Sequence, residues 1–210
     1  MKKALIFWGG WDGHTPEACA NIFQSSLEKR GYEVVVSSSL EVLEDEEATK
    51  SYDVIIPVWT MGEMSGPQKK SLLKAVRSGV GLAGFHGGMG DAFRGNVEYE
   101  WMVGGIFVGH PHVGEYLVDV NVKNSITEGL SARFEYDSEQ YYMLTDPGND
   151  VLATTVYDLD GKTITMPVIW TKKEKEGKVF YSALGHVAEE FTKYPDVLEM
   201  TLRGIEWATR

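Results

Sequence analysis

The chain has 210 residues, 43% hydrophobic and 24% charged, the balance of an ordinary globular protein long enough to bury a sizeable core. Its 31 acidic residues outnumber 20 basic ones, for a net charge of −11, which repels phosphate backbones and argues against nucleic acid as a partner. A lone Cys19 excludes an internal disulfide, and no segment approaches the ~20 apolar residues of a membrane span, so the expected location is cytoplasmic.

The expected elements alternate from the start. After Met1-Lys2-Lys3, the apolar run Ala4–Trp8 is too short for a signal peptide, and Lys3–Trp8 reads as a buried strand ending in Gly9-Gly10. Thr15 is placed to cap a helix with Pro16 at its first position, and Ala18, Ile22, Phe23 and Leu27 recur at helical spacing until Gly31. Tyr32–Val36 is a second strand. Beyond the acidic stretch Glu44–Glu47, Asp53–Trp59 is a third, followed by a helix over Pro67–Arg77 and a fourth strand over Gly79–Phe85. Such alternation means a parallel sheet with crossover helices, whose ligands sit beyond the carboxyl ends of the strands. Past Gly109 the texture becomes antiparallel. Glu115–Val122 alternates in part, Val151–Tyr157 and Thr163–Trp170 pair across Asp160-Gly161, Lys178–Ala183 follows the charged turn Lys172–Gly177, and a helix closes the chain from Pro195. No repeat or linker divides it, so one domain over 1–210 is expected.

The strand ends carry the candidate chemistry. Trp11 and His14 follow the first strand, Glu63 the third, His86-Gly87-Gly88 the fourth, and His186 a late one; His110 and His112 flank Pro111 in a Gly-rich loop. Small residues before His86 and glycines after it suit a sharp strand-to-helix elbow, with backbone N–H groups free at Gly87 to bind an anion. Glu63 is also a candidate for a helix-dipole charge. Glu139 stands beside Tyr141 and Tyr142, where partial burial would raise its pKa towards that of a general acid or base. Cys19 falls on the first helix and reads as packing, and most tryptophans, Trp101 and Trp170 among them, read as core. No dinucleotide fingerprint, P-loop or Gly-x-Ser-x-Gly motif occurs, so no nucleotide cofactor is expected. Histidines and carboxylates remain, suited to acid–base work or to a divalent metal, with His14, His110 and His186 as candidate ligands.

An ordered set of segments resembles the ThuA-like family, named for trehalose utilisation, in the class I glutamine amidotransferase-like superfamily. The matching pieces are Trp8-Gly9-Gly10 with His14, Trp59-Thr60-x-Gly62-Glu63, Gly84-Phe85-His86-Gly87-Gly88, Gly104-Gly105-x-Phe107-x-x-His110-Pro111, Ser125-Ile126-Thr127, Glu139-x-Tyr141, Pro167-Val168-x-Trp170, and Gly177-Lys178-Val179-Phe180-Tyr181-x-x-Leu184-Gly185-His186. Two positions depart from it: Asn124-Ser125 stands where members carry His-Pro, and an acidic pair is reduced to Ser138-Glu139. The resemblance implies a flavodoxin-like three-layer α/β sandwich with a mainly parallel central sheet and a more antiparallel C-terminal half. It also implies that His86 replaces the amidotransferase cysteine, removing the thiolate that glutamine hydrolysis needs.

The expected function is therefore in carbohydrate metabolism: a hydrolase, lyase or isomerase using His86, Glu139 and His186 on a sugar or keto-sugar. His14, Glu63, His110, Gly87 and Trp11 would bind the substrate, with or without a divalent metal. The rival readings are a non-catalytic sugar-binding or regulatory protein and a subunit that docks on an oxidoreductase or amidotransferase. Exposed aromatics in the second half would permit a homo-oligomer.

Overall fold

A computed structural model describes residues 1–210. Four successive apolar residues, Ala4–Phe7, are buried on both faces of strand β1 (Lys2–Gly10), as in a parallel sheet covered by helices on both sides. β1 lies between β2 (Tyr32–Ser37) and β3 (Val54–Thr60), and β4 (Gly81–Phe85) and β9 (Gly177–Ser182) extend the parallel part. β8 (Lys162–Glu174), β7 (Asp150–Leu159), β5 (Gly105–Val120) and β6 (Arg133–Thr145) continue it antiparallel. The complete order is β2-β1-β3-β4-β9-β8-β7-β5-β6. The strand order reverses between β1 and β3, the place where such sheets open a crevice at their carboxyl ends.

Helices α1 (Pro16–Lys29), α6 (Ala188–Lys193) and α7 (Pro195–Ala208) pack together, while α3 (Gly66–Arg77) contacts α2 (Glu46–Lys50) and α5 (Val97–Val103). The short α4 (His86–Gly90) follows β4 with no intervening residue. A capping box closes the start of α3, with Ser65 accepting from the Gln68 N–H and the Gln68 side chain accepting from the Ser65 N–H. Beneath the carboxyl end of β4, Phe85 stacks on Phe23 at 4.8 Å, and Phe191 meets both edge-on at 4.9 and 5.0 Å. This aromatic triad ties α1 and α6 to the strand that ends at His86.

The expected fold class holds, and several local readings are corrected. Ala18 is exposed; the buried face of α1 is Cys19, Ala20, Phe23 and Leu27. Thr15 occupies the N-cap position but does not cap: its hydroxyl accepts from the Ala188 N–H at 2.9 Å, joining α1 to α6. The charged run from Lys172 is not all turn, since β8 continues to Glu174 and the Lys172 ammonium is buried against Asp146 at 2.8 Å and over the Trp101 ring. Trp101 itself is exposed. The segment around Pro111, read as loop, is strand: Phe107 pairs with Met143, Gly109 with Tyr142 and His112 with Gln140, so β5 carries two extra residues across from β6. Such bulges push a strand out of line and re-aim its side chains.

Truncating Phe23 to alanine removes the centre of the aromatic triad and should cost roughly 3–5 kcal/mol of stability. Urea unfolding measures it; a loss below about 1 kcal/mol would contradict this packing.

Candidate functional site

Every strand that ends at the crevice delivers one polar group. β1 leads into a short 3-10 turn, Asp12–His14, that buries the His14 ring, and His14 Nδ1 lies 2.7 Å from the Thr60 hydroxyl at the end of β3. β4 delivers His86, and β9 leads through Ala183 to His186. The edge strand β6 supplies Glu139 and the bulge of β5 supplies His110. The three rings of His14, His86 and His186 form a triangle with centroids 4.9, 5.1 and 5.2 Å apart. Glu139 is their common neighbour: its carboxylate lies 3.3 Å from His86 Nε2, 3.5 Å from His110 Nε2 and 3.8 Å from His186 Nε2.

Hydrogen-bond direction fixes the state of His86. Its Nδ1 is 2.9 Å from the Ala183 carbonyl, which only accepts, so Nδ1 carries a hydrogen. Nε2 then faces the Glu139 carboxylate either as a second N–H or as a lone pair that needs a cation between them. The carboxylate is ionised: burial alone would raise its pKa, but the His86 hydrogen bond and the surrounding rings pull it down to about 2. This reverses the expectation that partial burial raises Glu139, because the imidazoles outweigh the desolvation. His14 is driven the other way, down to about 3, by burial and then by the like charges of His86 and His186. His186 is lowered by the same causes.

The backbone is forced at these positions. Of six non-glycine residues with positive φ, His86 (43°) and Met61 (61°) line the crevice, and Thr15 (46°) and Phe93 (53°) adjoin the lining residues His14 and Arg94 in the chain. Asp160 and Lys175, the other two, sit in hairpin turns. Left-handed backbone at ordinary residues is costly and persists where neighbours over-determine it. At the elbow the neighbours are clear. Tyr181 donates to the His86 carbonyl at 3.1 Å, and the Tyr141 ring packs on the His86 ring at 3.9 Å. Gly87 must be glycine, since a Cβ there would overlap the His14 ring. Its visible role is to admit that ring. Glu190 anchors the far side: its carboxylate accepts from the Tyr136 hydroxyl, from Ser138 at 2.6 Å and from the His186 N–H at 2.9 Å, fixing β6 against the His186 loop.

Four groups, His14, His86, Glu139 and His186, place one ligand atom each within 4.8 Å of one another. Behind them is a void of about 10 Å³ lined by the three rings and Thr60, the size of a single water or ion. Three imidazoles and a carboxylate suit zinc or a neighbouring first-row divalent ion. His110 stays at the mouth, 42% exposed and outside this group. His112 turns away to the Glu115 carbonyl. Glu63 is exposed on the loop before α3 and is not brought to the cluster. Trp11 lies at the mouth, edge-on to His14 at 4.7 Å and 47% exposed. Residues not singled out as site candidates complete the site: Thr60 and Phe107, which the family pattern includes, and Asp91, Arg94 and Glu190. Asp91 follows the glycines after His86, but only the fold pairs it with Arg94. No thiolate is present at the elbow; the chain's cysteine is buried on α1 with its thiol pushed up to about 11.

A sequence profile of the ThuA family, described as trehalose utilisation, matches residues 3–208. No curated protein matches the chain. Among solved structures, a ThuA-like protein from Bacteroides uniformis is 20% identical with a TM-score of 0.77, covering 98% of this chain and 89% of its own. A cytoplasmic protein from Salmonella typhimurium is 15% identical with a TM-score of 0.68, each chain covered in full. A β-galactosidase from Bacillus circulans is 13% identical with a TM-score of 0.63, covering 99% of this chain but 31% of its own. At these identities the likeness is one of fold. No helix is long and apolar enough to cross a membrane.

His14 titrates at about 3 in the native protein against 6.5 when free. Between these values the unfolded chain binds a proton that the native one does not, so the contribution of His14 is complete above about pH 6.5 and is lost as pH falls towards 3. In chelator-treated protein, urea unfolding at about pH 7.5 and about pH 5 should show wild type losing more stability on acidification than His14→Gln. Equal losses would contradict the assignment of a neutral, buried ring.

Proposed function

The chain belongs to the ThuA family, and from that premise we propose that it is an enzyme of carbohydrate metabolism that moves protons on a sugar or keto-sugar at the His86–Glu139–His186 group. The observation that carries this reading is a single ionised carboxylate held within 4 Å of three imidazoles at the carboxyl end of a parallel sheet. Glu139 titrates near 2 and so does not itself take up the proton at neutral pH. Its part is that of the buried carboxylate in a catalytic triad, stabilising whichever imidazolium forms beside it. His186, partly exposed and with its pKa lowered, is a base available in its free form. It takes a proton from the substrate, most readily from a C–H or O–H next to a carbonyl, where an oxidised sugar is most acidic. His110, at the mouth and against the same Glu139 oxygen as His186, returns a proton to the departing or newly formed oxygen. His86 does not travel; its bond to Ala183 holds the ring so that Nε2 orients Glu139.

Part of the same donor set fits a divalent cation, held by His14 and His86 with Glu139 while His186 stays free as the base. When bound, it would polarise a carbonyl or hydroxyl oxygen of the substrate.

Turnover of keto-glycosides and unmodified glycosides, with metal-replete and chelated protein, tests this. Wild type should form product, chelation should suppress it, and Glu139→Gln and His86→Ala should each lower kcat/KM by roughly 10²–10⁴-fold. No turnover by metal-replete protein, or His86→Ala indistinguishable from wild type, would contradict the reading.

A further inference from the structure

In front of the histidine group lies an outer chamber of about 130 Å³. Its walls include Trp11, Phe107, Asp91 and Arg94, and its floor is shared with His110 and Glu139. Sites for larger organic ligands run to roughly 300–1,000 Å³, so this space accommodates one small ring and not an oligomer.

The walls are of two kinds. Trp11 is held from behind: a Cβ at Gly13 would overlap its ring, and His14 meets it edge-on. Its remaining surface is the exposed part. Phe107 contributes a second aromatic ring, packed on Tyr141 at 4.4 Å. The same lining carries a polar fork. Arg94 donates from Nε to Asp91 Oδ1 at 2.6 Å and from Nη2 to Asp91 Oδ2 at 2.8 Å. Asp91 is buried and Arg94 is 57% exposed. The pair consumes two of the five guanidinium N–H groups and leaves three. The Arg94 guanidinium also lies 5.8 Å from the Phe107 ring centre. Its base does not drift, because the Met61 N–H donates to the Asp91 carbonyl at 2.9 Å and the Phe93 N–H to the Met61 carbonyl at 3.0 Å.

Charge selects among the small rings that would fit. Asp91 cancels Arg94, the only guanidinium or ammonium among the chamber's lining residues. An anionic ligand would find no uncompensated guanidinium or ammonium on the chamber's walls. A neutral polyol fits both walls: its C–H faces lie on aromatic rings, and its hydroxyls accept from a guanidinium whose orientation is already fixed. We infer that the outer chamber is a subsite for one neutral sugar ring, with Trp11 and Phe107 as its apolar walls and Arg94 as the hydroxyl-reading fork. This rests on the reading of the deep group as a carbohydrate site, and it adds the charge class, the size and the residues that select the ring.

Calorimetric binding separates the two. Neutral methyl pyranosides of the gluco, galacto and manno series, with their uronate and 6-phosphate counterparts, are titrated into chelator-treated wild type, Arg94→Lys and Trp11→Ala. Both side chains are exposed, and circular dichroism checks that the variants fold. The expected result is that at least one neutral pyranoside binds wild type, that it binds each variant at least ten-fold more weakly, and that its anionic counterparts bind wild type less tightly. Anionic sugars binding more tightly than the neutral ring, both variants binding as wild type does, or no neutral pyranoside binding at all would each overturn the inference. Because binding is read without turnover, neutral-ring binding with no product formed would sink the catalytic reading and leave the subsite standing.

Discussion

The structure of this site turns on one ionised carboxylate that four imidazoles approach. Glu139 comes from the last strand of the sheet, and His86 from the middle of the parallel part. Their contact is where the antiparallel arm and the parallel half meet. A carbonyl at one end of the His86 ring and a carboxylate at the other leave no arrangement of hydrogens that satisfies both ends of a neutral ring. The group therefore calls for one additional positive charge, as a proton or as a metal ion. His14, deeper in the crevice, is kept neutral first by burial and then because rings about 5 Å apart cannot all be cationic at low dielectric.

Holding this arrangement takes structure well beyond the ligating atoms. His86 sits in left-handed backbone at the end of β4, and Thr15, Met61 and Phe93 are bent in the same way. The Phe23–Phe85–Phe191 packing supplies the rigid floor beneath the elbow. Glu190 does for β6 what the triad does for β4, accepting three hydrogen bonds that lock the arm to the His186 loop. Two carboxylates thus divide the labour. Glu190 is saturated by hydroxyl and amide donors and is structural, while Glu139 keeps its charge turned towards rings that can exchange protons.

The parallel half was legible in the sequence because its signals are local. Ala4–Phe7 and Val54–Val58 are continuous apolar runs, and Pro16, Gly31 and Pro67 mark helix ends, so His14, His86 and His186 fall at strand ends on the sequence alone. The antiparallel arm was not legible in the same way. Tyr136, Ser138 and Gln140 are buried on one face of β6, but Tyr141 and Met143 continue the burial out of phase, and the bulges of β5 destroy its alternation opposite them. β6 was accordingly missed as a strand, although Glu139 was singled out through the family resemblance. The direction of its pKa was misjudged for a related reason. Burial is suggested by aromatic neighbours in sequence, whereas the three imidazoles that outweigh it come from β4, β5 and β9. Glu63 shows the opposite failure: it follows a strand end and matches the family pattern, yet the chain carries it out to solvent. Arg94 and Asp91 gave no motif, because a bidentate pair three residues apart is visible only once the turn that makes it is built.

Long-range proton–nitrogen NMR on histidine-labelled, metal-free protein at neutral pH reads the protonation of every ring nitrogen directly. The account predicts a hydrogen on His86 Nδ1, a neutral His14, and a His86 Nε2 signal that changes when Glu139 is replaced by glutamine. A protonated His14, or a His86 ring with bare Nδ1 and no response to that replacement, would contradict the claim that Glu139 organises the site.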